Sequence, residues 1–250
     1  MIQNWVYKDF TIQSYDKVES TNSLIFELAK IGSVNHNHII ESRIQTIGKG
    51  RYGRKWQSYP DNLYFSLLLK PNKDIAFSSL LSFVGVAAMG LAIEELVEKP
   101  ATINYKWPND ILINGKKIAG LLLESDYSQN KTNFVIIGIG VNITASPDDT
   151  PYPASNLKNE LECDINPKVL LKTFLNKFSD LYKNWLDFGF KATRNLWLTK
   201  AFNLNKEIIV NLSNEQIKGK FKDLDDNGNL VLELENNKIR LISSGEVFDS

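Results

Sequence analysis

Five basic side chains, Arg43, Lys49, Arg51, Arg54 and Lys55, fall between Ser42 and Pro60 with no Asp or Glu among them. Within that stretch Gln45 to Trp56 reads Q-T-I-G-K-G-R-Y-G-R-K-W, with Gly48, Gly50 and Gly53 set between the cations. Glycine lets backbone come close to a ligand and take up positive φ, and the cations supply charge-assisted donors. Such a loop is suited to an anion. Two more polar clusters could do chemistry: Ser20-Thr21-Asn22, and Lys106 to Lys117 with its carboxylate Asp110. Each also has a plain reading. Ser20-Thr21-Asn22 precedes the apolar run Leu24 to Ala29 as a helix cap would. Lys116 and Lys117 could be solvated hairpin residues, and the loop's Tyr52 and Trp56 are compatible with base stacking on RNA.

The elements that must hold these clusters follow from the patterning. After a short strand-like start and the capped helix, His38 to Ser42 reads as a strand that delivers the basic loop. His36-x-His38 has no third ligand nearby and reads as a surface turn. Asn62 to Lys70 is apolar enough for a central strand. Ile75 to about Glu98 reads as one long, nearly uniformly apolar helix, with Pro100 beyond its end. A strand at Thr102 to Lys106 ends at Trp107-Pro108-Asn109-Asp110. Two arms, 111–113 and 116–118, flank Asn114-Gly115, a pair that accepts the positive φ values of a type I′ turn.

Strands at Leu121 to Ser125 and Phe134 to Ile143 come next. The second holds Gly138-Ile139-Gly140-Val141-Asn142, which lacks the third glycine and the helix of a dinucleotide fingerprint; close backbone packing is the plain account of its glycines. A polar loop covers Ser146 to Asn166. Pro167 to about Phe188 is a helix with Phe174, Phe178, Leu181 and Trp185 on one stripe and Gly189 as its cap. A shorter helix spans about Lys191 to Ala201. Four short strands follow, at 207–212, 216–221, 229–234 and 238–242, too few residues for comfortable stability alone. The expected class is α+β: a mixed β-sheet with flanking helices over residues 1–204 and a small β-domain over 205–250.

Composition narrows the partners. The 29 basic and 29 acidic residues cancel, so any attraction to nucleic acid or an anionic membrane would be local. A single cysteine, Cys163, excludes an internal disulfide and fits a reducing cytoplasm. The N-terminus lacks a signal-peptide pattern. The longest apolar stretch, the 14 residues from Leu80 to Ile93, is too short to span a bilayer. A soluble, cytoplasmic protein without DNA or membrane partners is expected.

Taken together, the clusters resemble a family. Lys106-Trp107-Pro108-Asn109-Asp110, followed by Lys117-Ile118-Ala119-Gly120, resembles the K-W-P-N-D…K-x-A-G signature of biotin protein ligases. Gln45 to Trp56 is similar to that family's G-R-G-R-x-G-R-x-W loop, Ser20-Thr21-Asn22 to its S-T-N element, and Gly138 to Asn142 to its G-x-G-x-N strand. Gly245-Glu246-Val247 resembles the end of its C-terminal SH3-like domain. The resemblance implies a class II synthetase-like ligase core plus a small SH3-like β-barrel. It implies that ATP and Mg²⁺ activate biotin to biotinyl-5′-AMP, and that the biotinyl group passes to a lysine of a biotin carboxyl carrier domain.

By the same resemblance, Lys117 and Arg51 are catalytic. Ser20, Thr21, Asn22, Gln45, Lys49 and Gly50, with Arg51 and Lys117, hold biotin. Arg51, Arg54, Trp56, Lys106, Asn109, Asp110 and Asn142 hold ATP or the adenylate, with Mg²⁺ near Asp110. Two departures stand out. Lys49 replaces an arginine, keeping charge but losing the planar fork. The S-T-N element lies about 20 residues from the start, which leaves no room for the family's DNA-binding winged helix, so the monofunctional type is expected. A homodimer paired through the sheets is compatible with the family. Rival readings are a lipoate or octanoate ligase of the same superfamily, a nucleic-acid-binding protein using the basic loop, and a biotin sensor without catalysis.

Overall fold

The computed structural model describes residues 2–97, 101–129, 131–235 and 237–249; Glu98 and Pro100, where the long apolar helix was expected to end, lie outside them. The chain runs β1 (Ile2–Tyr7), β2 (Phe10–Val18), α1 (Thr21–Lys30), β3 (His38–Gln45), β4 (Leu63–Leu69), α2 (Ile75–Ser79) and α3 (Leu81–Leu96). It continues through β5 (Ile103–Lys106), β6 (Asp110–Ile113), β7 (Lys116–Ser128), β8 (Lys131–Val141), α4 (Leu157–Leu161), α5 (Pro167–Phe188) and α6 (Lys191–Leu198). The last strands are β9 (Glu207–Asn211), β10 (Gln216–Leu224), β11 (Leu230–Glu233), β12 (Ile239–Ile242) and β13 (Glu246–Asp249).

Eight strands form one mixed sheet in the order β1-β2-β3-β4-β8-β7-β6-β5. Among the described residues of this sheet only β2 and β3 pair in parallel, and α1 is the crossover that a parallel pair requires. Side chains alternate between faces along a strand, and β4 shows what each face meets. Leu63, Phe65, Leu67 and Leu69 join the main core, while Leu68 on the opposite face joins a smaller cluster with Ile25 and Ala29 of α1, Ile40 and Ile136. Both faces of β4 are covered, which is why it reads as an unbroken apolar run.

The main core lies between the sheet and α3, α5 and α6. Phe174 meets Phe65 edge-on at 5.2 Å between ring centroids, and Phe83 meets Trp197 at 5.6 Å. The expected aromatic stripe of α5 supplies Phe174, Phe178 and Trp185 to this core, all almost fully buried, each worth ~1.5–3 kcal/mol of transfer free energy or more. Asn166 caps α5 and Gly189, at φ 77°, ends it. The stretch Ile75–Leu96 is long and apolar enough to cross a membrane, but it is mostly buried and divided at Leu80. Asp74 caps α2 with a 2.7 Å bond from Phe77 N–H, so the expected single helix is two.

Other boundaries also shift. The arm at 116–118 and the strand at 121–125 are one strand, β7, with an irregularity in its register against β6. The Asn114-Gly115 turn has positive φ at both residues, 51° and 76°, as the hairpin pattern requires. The polar loop at 146–166 contains α4, and a fifth C-terminal strand, β13, follows the four expected. These strands form an antiparallel sheet in the order β12-β11-β10-β9-β13. Its Ile208, Val210, Phe221, Leu232 and Val247 merge with the main core. Trp107 anchors it with an Nε1–H bond of 3.0 Å to the Gly228 carbonyl.

Candidate active site

Alternation along β7 and β8 makes the floor of a cavity. On β8, Phe134 and Ile136 belong to the cluster under α1, and Gly138 and Gly140 continue the same face with no side chain. Gly120 on β7 sits opposite Gly140. The gap is filled from above. A Cβ at Gly138 would lie 2.0 Å from Asn22 Oδ1; at Gly140 it would lie 2.5 Å from the Trp56 ring, and at Gly120 2.8 Å from it. The glycines thus make room for two side chains of the site; at Gly138 and Gly140 close backbone packing had been the plain reading of the sequence beside the family's G-x-G-x-N pattern. A cavity of roughly 290 Å³ opens over this floor.

One end of the cavity is neutral and polar. Ser20 stands in extended backbone as the cap of α1, with its Oγ accepting from Ser23 N–H at 3.4 Å. Thr21 N–H donates to Gln45 Oε1 at 2.9 Å, and Thr21 Oγ1 stands 3.1 Å from the same oxygen. Ser66 Oγ reaches Thr21 Oγ1 at 2.8 Å and also Asn22 Oδ1. Asn22 Nδ2 donates to Glu124 Oε2 at 2.8 Å. Ser20, Thr21, Asn22 and Ser66 are all buried, so each bond counts more than it would at a wet surface.

The basic loop forms one wall. It is folded on itself by Trp56 N–H to Gly48 O at 2.8 Å and Gly50 N–H to Arg54 O at 2.7 Å. A Cβ at Gly48 would meet Trp56 O at 2.4 Å, so that approach needs glycine. Gly53 takes positive φ at the tip, as does Tyr52 at 56°. Three of the loop's cations have partners within the protein. Arg51 donates to Asn109 Oδ1 at 3.3 Å, to Gly245 O at 3.4 Å and to Tyr52 OH at 2.9 Å. Arg54 grips the Glu246 carboxylate with two contacts of 2.6 and 2.7 Å. Lys49 Nζ stands 3.6 Å from Glu124 Oε1.

The β5–β6 hairpin and β7 supply the opposite wall. Lys106 and Asp110 pair across it, and the Trp107–Pro108 bond between them is cis. Lys117 Nζ lies 2.7 Å from Asp110 Oδ1 and 5.5 Å from the Trp56 ring centroid. Lys106 is buried, its Nζ 3.2 Å from the Tyr152 centroid and 5.2 Å from that of Phe248, a cation–π arrangement on two aromatic faces. Asn109 Nδ2 donates to Leu121 O. Asn142 Nδ2 donates to Ser155 O at 3.1 Å. Among the described residues Asn142 Oδ1 and Trp56 Nε1, both buried polar atoms, find no hydrogen-bond partner, an arrangement that costs free energy unless a ligand supplies the partner.

Every residue that the family resemblance assigns to the site lines this one cavity: Ser20, Thr21, Asn22, Gln45, Lys49, Gly50, Arg51, Arg54, Trp56, Lys106, Asn109, Asp110, Lys117 and Asn142. Lys116 is not among them. Its Nζ pairs with Glu160 at 2.9 Å, and Ser155 and Asn114 bond to the same carboxylate. Burial raises the Glu160 carboxyl, but those three hydrogen bonds outweigh it and hold it below its usual value. Sequence reasoning missed Ser66, Tyr152 and Phe248, and it left Glu246 without a role. Of these, only Glu246 had a signal, in its Gly245-Glu246-Val247 context.

The histidines have no part in the site: His36 Nδ1 accepts Lys70 N–H at 2.9 Å and His38 is buried. Among the described residues, no group of three or more His, Cys, Asp or Glu is arranged around a metal position.

A family model described as Biotin/lipoate A/B protein ligase family matches residues 14–142, and one described as Biotin protein ligase C terminal domain matches residues 204–248. The biotin–[acetyl-CoA-carboxylase] ligase of Paracoccus denitrificans is 33% identical over 86% of this chain and 91% of its own. The bifunctional ligase/repressor BirA of Bacillus subtilis is 31% identical over 93% of this chain and 72% of its own. Among solved structures, the biotin protein ligase from Aquifex aeolicus in complex with biotin and ATP superposes with a TM-score of 0.80 at 30% identity, covering 95% of this chain and 97% of that one.

Proposed function

The chain belongs to the biotin/lipoate A/B protein ligase family, and from that premise we propose that it activates biotin with ATP and passes the biotinyl group to a lysine of a biotin carboxyl carrier domain. The observation that carries this reading is the grading of one cavity. Neutral, hydrogen-bonded groups (Ser20, Thr21, Asn22, Gln45) stand at one end, and Lys117, Arg51, Arg54 and Lys106 stand along the walls beyond them. A ureido ring needs neutral donors and acceptors, and a carboxylate facing a triphosphate needs cations.

In the first half-reaction a carboxylate oxygen of biotin attacks the α-phosphorus of ATP. The new C–O–P linkage forms as the bond to pyrophosphate breaks. Two anions must approach each other, so Lys117 and Arg51 act by offsetting that repulsion and stabilising charge on the α-phosphate in the transition state. Lys117 waits on Asp110 at 2.7 Å and would exchange part of that contact for the substrate. A bound Mg²⁺ would neutralise the triphosphate further, with Asp110 and phosphate oxygens as its ligands. Asn142, with its unpartnered Oδ1, offers an acceptor to the adenine amino group, and Trp56 and Arg54 complete the nucleotide side. An acyl-adenylate hydrolyses if wet, and the basic loop over the cavity would exclude water from it.

In the second half-reaction the neutral amine of the carrier lysine attacks the biotinyl carbonyl, and AMP leaves. The rate should rise with pH while that amine deprotonates. Dividing the chain at 204/205 gives the larger part most of the cavity and the smaller part Gly245 to Phe248 along its rim. Consuming ATP on a carboxylase subunit fits action in the cytoplasm. The rival substrate, lipoate, carries a dithiolane ring without N–H or C=O groups and would add no hydrogen bond at the polar end formed by Thr21, Asn22 and Gln45, whereas a ureido ring would, so the site favours biotin.

The test is transfer itself. With biotin, MgATP and a purified carrier domain, mass spectrometry should find one biotinyl group on one lysine, and none after that lysine is changed to arginine. Absence of any mass gain on the intact carrier domain would overturn the proposal.

A further inference from the structure

Behind the neutral end of the cavity stands a carboxylate that does not line it. Glu124 on β7 points to the same face as Gly120 and Leu122, pairs in register with Ile136 of β8, and receives Asn22 Nδ2 at 2.8 Å. Building on the proposed biotin reading, we propose that Glu124 is a positioning residue that fixes which way the Asn22 amide faces. The logic is one of donors and acceptors. A carboxylate only accepts, so it selects the Nδ2 edge of Asn22 and turns Oδ1 toward the opposite partner. That partner is Ser66, whose hydroxyl reaches Asn22 Oδ1 and Thr21 Oγ1. Ser66 has one hydroxyl proton; giving it to Asn22 Oδ1 leaves its oxygen to accept from Thr21 Oγ1, while Thr21 holds Gln45 through its backbone N–H. One acid thus sets the direction of the hydrogen bonds that run from Asn22 through Ser66 to Thr21, and both end residues line the cavity.

Two features fit this role and no simple structural one. Asn22 is 4% exposed and sits against Gly138, where a Cβ would strike its Oδ1 at 2.0 Å; the amide has no room to settle elsewhere. Glu124 also faces a loop cation, Lys49, at 3.6 Å. That pair is half in solvent and weak by itself, so the part-buried bond to Asn22 is the one that matters. A flipped Asn22 amide would set Oδ1 against the carboxylate and leave Ser66 without its acceptor, and a ligand would meet the reversed pattern.

Glu124→Gln and Glu124→Leu separate the possibilities. Gln keeps an oxygen that can accept from Nδ2; Leu does not. In biotin-dependent ATP–pyrophosphate exchange, Glu124→Leu should raise the biotin KM roughly tenfold while kcat and the ATP KM stay within about threefold, and Glu124→Gln should recover most of the biotin KM. In an Asn22→Ala background, Glu124→Leu should add little to the biotin KM. An unchanged biotin KM in Glu124→Leu, a Gln variant as impaired as Leu, or full additivity with Asn22→Ala would each overturn the proposal. A readout independent of turnover is the side-chain amide resonance of Asn22 in ligand-free protein. It should be protected from solvent exchange in wild type and Glu124→Gln, and lose that protection in Glu124→Leu. Should wild type fail to exchange with biotin, the functional reading falls, while the amide resonance still decides the role of Glu124. If Glu124→Leu does not fold, the resonance in Glu124→Gln decides, and loss of protection there would refute it.

Discussion

Gly138→Ala asks whether the glycines of β8 serve the side chains above them. The added Cβ would lie 2.0 Å from Oδ1, 2.7 Å from Cγ and 2.9 Å from Nδ2 of Asn22. To regain ordinary contact the amide must move by about 1.4 Å, which parts it from Ser66 or from Glu124. A buried polar group left unsatisfied costs ~1–3 kcal/mol, and alanine in place of glycine in a strand returns ~0.5–1 kcal/mol of that. The net destabilisation is then roughly 0–2.5 kcal/mol, a fall of up to about ten degrees in Tm for a chain of this size. The effect on function should be larger, because the displaced amide belongs to the neutral end of the cavity. Biotin KM in ATP–pyrophosphate exchange should rise by about tenfold or more, with the ATP KM little changed. Thermal unfolding and exchange kinetics on the same preparation check both numbers. Wild-type Tm together with a biotin KM within about twofold of wild type would show that Asn22 is not held against Gly138 in the way argued.

Other perturbations probe the remaining walls. Lys117→Ala should abolish exchange while biotin binding by calorimetry is partly kept; undiminished exchange would remove Lys117 from the chemistry. Gly140→Ala, whose Cβ would meet the Trp56 ring at 2.5 Å, should weaken ATP more than biotin, and the reverse order in the two KM values would refute that assignment. Acid should destabilise the fold through its histidines: burial lowers the pKa of both His36 and His38, with Lys70 adding to the effect at His36. The folded state keeps them neutral while the unfolded chain takes up protons below the ordinary imidazole value of 6.5. Stability therefore falls as pH drops through that value. Tm should be lower at pH 5.5 than at pH 7.5, and the difference should shrink in a His36→Asn, His38→Asn variant; an equal difference would assign it to other groups.

Much of this was legible because the sequence concentrates its chemistry at element ends. Ser20 caps α1, the basic loop leaves β3, and Lys106 to Asp110 turns between β5 and β6; each place is marked by a capping residue, a glycine or a proline. Turn chemistry at Asn114-Gly115 and the cap at Gly189 were readable for the same reason. What stayed hidden depends on pairing between distant segments. Ser66 reads as one polar residue in an apolar strand until the order β3-β4-β8 brings it under Thr21 and Asn22. Gly138 and Gly140 look like packing glycines until alternation on β8 aims their bare face at α1 and at Trp56. Glu246 acquires a partner only when the second sheet folds back on the first, with its carboxylate on Arg54 at 2.6 Å. The division at Leu80 escaped because both halves are apolar, and no glycine or proline marks the break.

The central claim is that one cavity joins a vitamin carboxylate to a nucleotide. Biotin-dependent exchange of labelled pyrophosphate into ATP, run beside lipoate and octanoate under the same conditions, tests it most directly. Exchange with biotin and none above background with the other two acids is the expected result. Exchange driven by lipoate or octanoate, with none from biotin, would contradict it.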